Sequence, residues 1–361
     1  MEEDFSTFHS LCYSLLLLLP CLVFLLLSTK FLLRKRKQGK INDLPPSPFA
    51  LPIIGHLYLL KQPVHRTLHS LSKKYGPIFS LKLGSRLAVV ISSPSAVEEC
   101  FTKNDIVLAN RPHFLSGRYL NYNNTTMGTV EYGEHWRNLR RISALEIFSP
   151  SRLTSLYSIR REEVMVLVRR LHSVSKHGNY TKVELRPMLL DLTSNIVLRM
   201  VAGKRYYGED VKEIEEARVF REIMEEFFAY IAMTNVGDLI PMLQWVDFTG
   251  NLKKLDRLRK KMDVFLQGLI DEHRDDRDKN STMINRFLAL QEEHPEYYTD
   301  EIIKGHVLVS QILTTLFYCF EWERVGGDKI DMAEKTAMTM TKVEPLELMC
   351  RARPTLHVIL S

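Results

Sequence analysis

Trp136 and Arg140 stand four residues apart in the run Tyr132-Gly133-Glu134-His135-Trp136-Arg137-Asn138-Leu139-Arg140-Arg141. On a helix this spacing puts both side chains on one face, one above the other. An indole N–H and a guanidinium only donate hydrogen bonds, so the pair suits an acidic acceptor such as a carboxylate. The same spacing also describes a basic amphipathic helix with Trp136 turned into the core. Spacing alone leaves both readings open.

The chain that must position this pair has 361 residues, 45% hydrophobic and 25% charged, which fits one large globular domain or two small ones. Its net charge of +6 is unevenly placed. Residues 1–40 hold six bases (Lys30, Arg34, Lys35, Arg36, Lys37, Lys40) and three acids (Glu2, Glu3, Asp4), so the remainder is nearly balanced. That balance argues against a nucleic-acid binder. The five cysteines form no C-x-x-C pair, which excludes a disulfide framework and a zinc site and points to a reducing compartment.

Leu11–Thr29 carries no charge and is rich in leucine. Nineteen residues at about 1.5 Å each reach the ~30 Å of a hydrocarbon core. The rival is a cleaved signal peptide, which places its positive charge before the apolar run. Here acids come before and Arg34-Lys35-Arg36-Lys37 comes after. The expectation is an anchor over residues 1–33, with the basic flank and the domain behind it in the cytosol. Residues 34–63 read as that flank followed by a stiff spacer, Leu44-Pro45-Pro46-Ser47-Pro48.

Residues 64–361 read as the globular part. His65–Lys74 predicts a short helix, and Ile78–Leu83 with Leu87–Ile91 a hairpin around Gly84. Pro94 suits a first helical position, with Ser95 and Glu98 at capping-box spacing. His113–Val130 reads as a polar loop. Helices follow over Leu153–Val174, Pro187 to about Ala202, about Val211–Ala232, and one carrying Leu252, Leu255, Leu258, Met262, Phe265, Leu266 and Leu269. Asp238–Trp245 is an apolar connection. Thr299-Asp300-Glu301 starts a last helix, apolar nearly all round from Ile302 to Phe320, which requires burial on most sides.

Trp-Arg-x-x-Arg-Arg after Tyr-Gly resembles the C-helix of the cytochrome P-450 family, in the style of plant microsomal members. Ala109-Asn110-Arg111-Pro112 and the proline-rich stretch resemble the family too. The resemblance implies a fold that is mainly α with a small β-sheet: an incomplete cytochrome P-450 fold behind an N-terminal transmembrane helix. It implies that Trp136 and Arg140 bind haem through its propionates. It also implies that His113–Val130 is the B–C loop over the substrate pocket, and that Asp238–Trp245 touches the bilayer, for which a buried loop is the plain alternative. Intact members are haem-thiolate monooxygenases of the endoplasmic reticulum membrane. They take electrons from an NADPH-dependent reductase, and plant members of this style act on flavonoid- or phenylpropanoid-like aromatics.

The resemblance covers about residues 44–304 and 320–354. Where the family's central helix carries a small residue, Gly, any residue, an acid and Thr, this chain reads Val309-Ser310-Gln311-Ile312-Leu313-Thr314-Thr315. The haem loop Phe-x-x-Gly-x-Arg-x-Cys-x-Gly is matched by none of Cys100, Cys319 or Cys350. His306 reads as a structural helix residue, not an axial ligand. The expectation is therefore a family member by descent without turnover, with no catalytic residue and no metal ligand assigned. The alternative is a non-enzymatic, membrane-anchored remnant that binds reductase or other family members through Arg137 and Arg141.

Overall fold

The computed structural model describes residues 44–317 apart from 148, 175–180, 210, 232–234, 245–246, 248–249 and 276–281, together with 334–335, 341–342 and 347–350. The expected span Leu11–Thr29, its basic flank and Cys319 lie outside these residues. Among the described residues no helix is long and apolar enough to cross a membrane.

Two compact units divide between Glu99 and Cys100. In the first, helix α1 (Val64–Tyr75) precedes an antiparallel hairpin of β1 (Ile78–Leu83) and β2 (Arg86–Ile91), as the alternation predicts. The proline run is fastened to this hairpin. Pro46 and Pro45 have no N–H to give, but their carbonyls accept from Ser80 N and Ser80 Oγ at 2.8 and 2.9 Å. His56, fully buried, accepts the Lys82 N–H on Nδ1 at 2.6 Å and donates from Nε2 to Pro48 O at 2.9 Å. Gly55 is required here: it holds φ +64°, and a Cβ would lie 2.1 Å from Lys82 O. Helix α2 (Pro94–Phe101) starts as expected, but its cap is Ser93, whose Oγ accepts from Ala96 N at 3.3 Å, not Ser95.

The second unit is helical. In order come α3 (Asp105–Leu108), α4 (Leu115–Leu120), α5 (Glu134–Ile142), a π-type turn at Ser143–Ile147, α6 (Pro150–Ser155), α7 (Tyr157–Val174), β3 (Thr181–Glu184), α8 (Leu185–Ala202), α9 (Ile214–Ile231), α10 (Val236–Leu239), α11 (Asn251–Asp275), α12 (Met283–Glu293) and α13 (Asp300–Phe317). Short strands β4 (Glu334–Lys335) and β5 (Thr341–Lys342) pair with each other, and β6 (Glu347–Cys350) pairs antiparallel with β3. The architecture is thus mostly helical with small antiparallel sheets.

Three local expectations are corrected. The 113–130 loop contains α4, whose Leu115 N–H is capped by Asp238 Oδ1 at 2.8 Å, a residue 123 positions away. The helix expected over Leu153–Val174 is two, broken at buried Leu156. Helix α12 was not foreseen, although Thr282 caps it through Asn285 N at 3.2 Å.

The core forms where α8, α9, α11, α12 and α13 meet. Leu198, Phe220, Phe227, Leu258, Met262, Ile284, Phe287 and Ile303 are each at most 3% exposed. Helix α13 packs on α8, α11 and α12. Every residue from Ile303 to Ser310 is buried, as its all-round apolar pattern requires, but Lys304 and His306 are among them. Lys304 Nζ reaches Asp263 at 2.7 Å. On the other side of α8, Glu163 is 2% exposed and holds Arg199 at 2.8 Å and Arg205 at 2.6 Å. Removing that carboxylate takes a shared buried partner from both guanidiniums, although Arg199 also holds Glu162 at 2.7 Å. Glu163→Ala is expected to cost about 3–5 kcal/mol, and Glu163→Gln less, in denaturant unfolding.

Burial, with a smaller contribution from nearby His135, lowers His306 from 6.5 to about 4. Between these values the unfolded chain binds a proton that the folded chain does not, so stability rises with pH. His306 contributes fully above about pH 6.5 and loses on the order of 3 kcal/mol as pH falls to about 4. Urea midpoints across that window are expected to show a step that His306→Gln flattens.

Candidate functional site

Helix α5 begins with Glu134 and ends with Arg140 and Arg141, so its charges oppose the ends of its dipole. Its buried stripe is Leu139 and Ile142, at 3% and 4% exposure. Trp136 lies at the edge of that stripe and is half-buried.

Arg140 is exposed, and its guanidinium carbon sits 5.4 Å from the Trp136 ring centre. Tyr132 extends the stack, 5.3 Å from Trp136 with the rings inclined at 47°. Arg137 lies 5.9 Å from the Tyr132 ring. The backbone N–H of Tyr132 donates to Asn110 Oδ1 at 3.0 Å, so the Ala109–Pro112 motif anchors the same stack. Reasoning from sequence missed Tyr132 because it precedes the helix. Its place four residues before Trp136 was the available signal.

The opposite side of α5 fixes the helix rotation. His135 Nε2 lies 3.0 Å from Thr125 O, and its ring stands 6.3 Å from Tyr297. The Tyr297 phenol is held above its usual range, chiefly by burial. Arg140 is exposed and Trp136 is half-buried beneath it. Among the described residues neither meets an acceptor. Two aligned donors with no protein acceptor suit an acid brought by another molecule.

The acidic rim of a haem fits this pair. An axial thiolate does not follow from the described residues. Among these the free cysteine is Cys100, half-buried on α2 in another sequence context. Cys350 is described only as a residue of β6, opposite Thr181. Among the described residues no cluster of three His, Cys, Asp or Glu side chains is disposed to hold a metal. His306, buried in α13, is not part of the Trp136 and Arg140 pair.

The cytochrome P-450 family model matches residues 45–313. Cytochrome P-450 81E8 of Medicago truncatula is 52% identical over 300 residues, 82% of this chain and 60% of the relative. An isoflavone 3'-hydroxylase of the same plant is 49% identical, covering 76% of this chain and 56% of that protein. A piperitol/sesamin synthase of Sesamum radiatum is 46% identical, covering 79% and 56%. The chain therefore spans little more than half the length of these curated relatives. A match across most of its residues at such identity leaves one assignment: the chain belongs to the cytochrome P-450 family.

Proposed function

We propose that this chain is the anchored, propionate-holding part of a haem-dependent monooxygenase of plant secondary metabolism, and that the 361 residues do not themselves turn over. The observation that carries the reading is the stacked pair Trp136 and Arg140, which meets no acceptor among the described residues. Family membership supports haem as the acid-bearing partner, and supports an NADPH-dependent reductase as the electron source of the intact enzyme. Relatives described as an isoflavone hydroxylase and a piperitol/sesamin synthase support a small plant aromatic as substrate. When bound through a thiolate, haem supplies oxygen activation. The residues of this chain do something narrower. Arg140 and Trp136 would hold the group by its two carboxylates, which would orient the ring edge. Tyr132 holds the indole in place. The absence of the Phe-x-x-Gly-x-Arg-x-Cys-x-Gly loop supports the lack of turnover.

A second reading has support of its own. Arg137 and Arg141 are exposed on α5 beside the pair, a basic face suited to an acidic protein surface. Reductase retained by the full chain at low salt, released as salt rises, and lost on Arg137→Glu with Arg141→Glu would favour this remnant role.

The carbon monoxide difference spectrum of the reduced, haem-supplemented chain tests the main reading. Weak, non-stoichiometric haem without a thiolate-type Soret band is expected. A full-amplitude band lost on mutating Cys319 or Cys350 overturns the proposal. Arg140→Ala and Trp136→Phe are each expected to weaken residual haem affinity about 10- to 100-fold, from bonds of about 1.5–3 kcal/mol.

For location we propose a single span in the endoplasmic reticulum membrane, with the globular part cytosolic, supported by the charge asymmetry around Leu11–Thr29. Acceptor patterns start at Asn123, Asn124, Asn179 and Asn280. None is expected to carry sugar on the expressed chain, and a glycosidase-sensitive mass shift would reverse the orientation.

A further inference from the structure

His306 has no part in holding a haem edge, yet its surroundings specify its ring. It is 4% exposed and stacks on Phe287 with centroids 4.9 Å apart and planes at 21°. Nδ1 lies 3.5 Å from Ser143 Oγ. The Ser143 hydroxyl donates to Leu139 O at 2.9 Å, a stronger acceptor than the Met127 thioether at 3.8 Å. With that hydrogen committed, Oγ offers the ring only lone pairs. The imidazole therefore carries its hydrogen on Nδ1, which leaves Nε2 a bare acceptor. Nε2 is buried and has no hydrogen-bond partner among the described residues. An acceptor left in this state destabilises the fold unless something donates to it.

A cavity lies beside it. About 10 Å³ is open to the centre of a water-sized sphere, bounded by Thr126, Met127, Leu139, Gly305 and His306, among others. The lower limit for holding one water is about 10–15 Å³, so nothing larger fits. A second buried group is unpaired nearby. Asn121 is 1% exposed, its Oδ1 accepts from Thr126 Oγ1 at 3.3 Å, and its Nδ2 has no partner. The backbone between these two residues is strained. Tyr122, Asn123 and Asn124 hold φ of 46°, 56° and 62°, three consecutive left-handed residues without a glycine. Such a turn persists only where its surroundings over-determine it.

We propose that this cavity is a binding site for one buried water, which donates a hydrogen bond to Nε2 of His306 and so fastens the 121–130 segment to α13. The lining is mixed, with Thr126, Glu301 and His306 supplying polar side chains among Met127, Leu139 and Val309, and it is purely apolar cavities that stay empty. The water is a positioning element: it sets where the segment lies against α13 and takes part in no chemical step.

The test is nitrogen NMR of the full chain labelled with ¹⁵N-histidine, in detergent. His306 is identified by the signal lost in His306→Gln and, without any variant, as a histidine still neutral at pH 5. The expected result is hydrogen on Nδ1 and an Nε2 resonance displaced toward that of a hydrogen-bonded lone pair. A bare-lone-pair resonance, or hydrogen on Nε2, overturns the proposal. Oxygen-17 relaxation dispersion supplies the count: His306→Leu and Thr126→Val are each expected to hold one long-lived water fewer than the wild type. Equal counts in any folded variant also overturn it.

Discussion

The second unit depends on the burial of Ile303–Ser310 in α13 from every side. A helix enclosed all round must be surrounded by several others, and α8, α11 and α12 provide that enclosure. Its polar residues must then find partners inside. Lys304 finds Asp263 on α11, Ser310 Oγ donates to His306 O at 2.9 Å, and His306 meets Ser143 just beyond α5. The Lys304 and His306 contacts tie α13 to its neighbours, whereas the Ser310 bond stays within the helix. Tyr122 belongs to the same set: its hydroxyl approaches Asp263 at 3.4 Å, and burial followed by that carboxylate pushes its ionisation upward.

The direction of the site follows from this enclosure. Leu139 and Ile142 are committed to the interior, Trp136 borders that stripe half-buried, and Arg140 lies beyond it in the open. Leu139 and Ile142 hold the helix against the interior, and the stack from Tyr132 through Trp136 to Arg140 stiffens the pair beside them. A long arginine with five donors loses less freedom on binding a carboxylate when its guanidinium already rests on an indole. Core packing and ligand geometry are thus two faces of one nine-residue helix.

Periodicity made the long helices legible. The Leu255, Leu258, Met262, Leu266, Leu269 stripe of α11 is buried as its spacing requires, and Gly203 ends α8 in the left-handed conformation with φ 68°. The hairpin was equally readable from alternation around Gly84. What sequence did not disclose depends on distant partners. Helix α4 has six residues, and its cap comes from Asp238 beyond three long helices. Ser93 outcompeted Ser95 because Pro94, with φ already set, belongs inside the first turn. Helix α12 is the exception: Thr282 before Met283, Ile284 and Phe287 was a legible start passed over beside a charge run. At the site, the one-face placement of Trp136 and Arg140 was legible. The exposure that decides between core residue and donor was not, because it depends on which stripe of α5 the unit buries.

Magnitudes show how the donor pair relates to the thiolate loop missing from these 361 residues. Two charge-assisted bonds of about 1.5–3 kcal/mol each sum to roughly 3–6 kcal/mol. A micromolar complex needs about 8 kcal/mol, and association also costs rotational and translational freedom. Rim contacts therefore select the orientation of a ring without retaining it. Apolar walls and an axial bond must supply the remainder in an intact enzyme. Under the proposed reading, α5 is an orienting device whose binding energy depends on other parts. The helix itself is held by folding, because Leu139 and Ile142 are buried in the core whether or not Trp136 and Arg140 meet an acid.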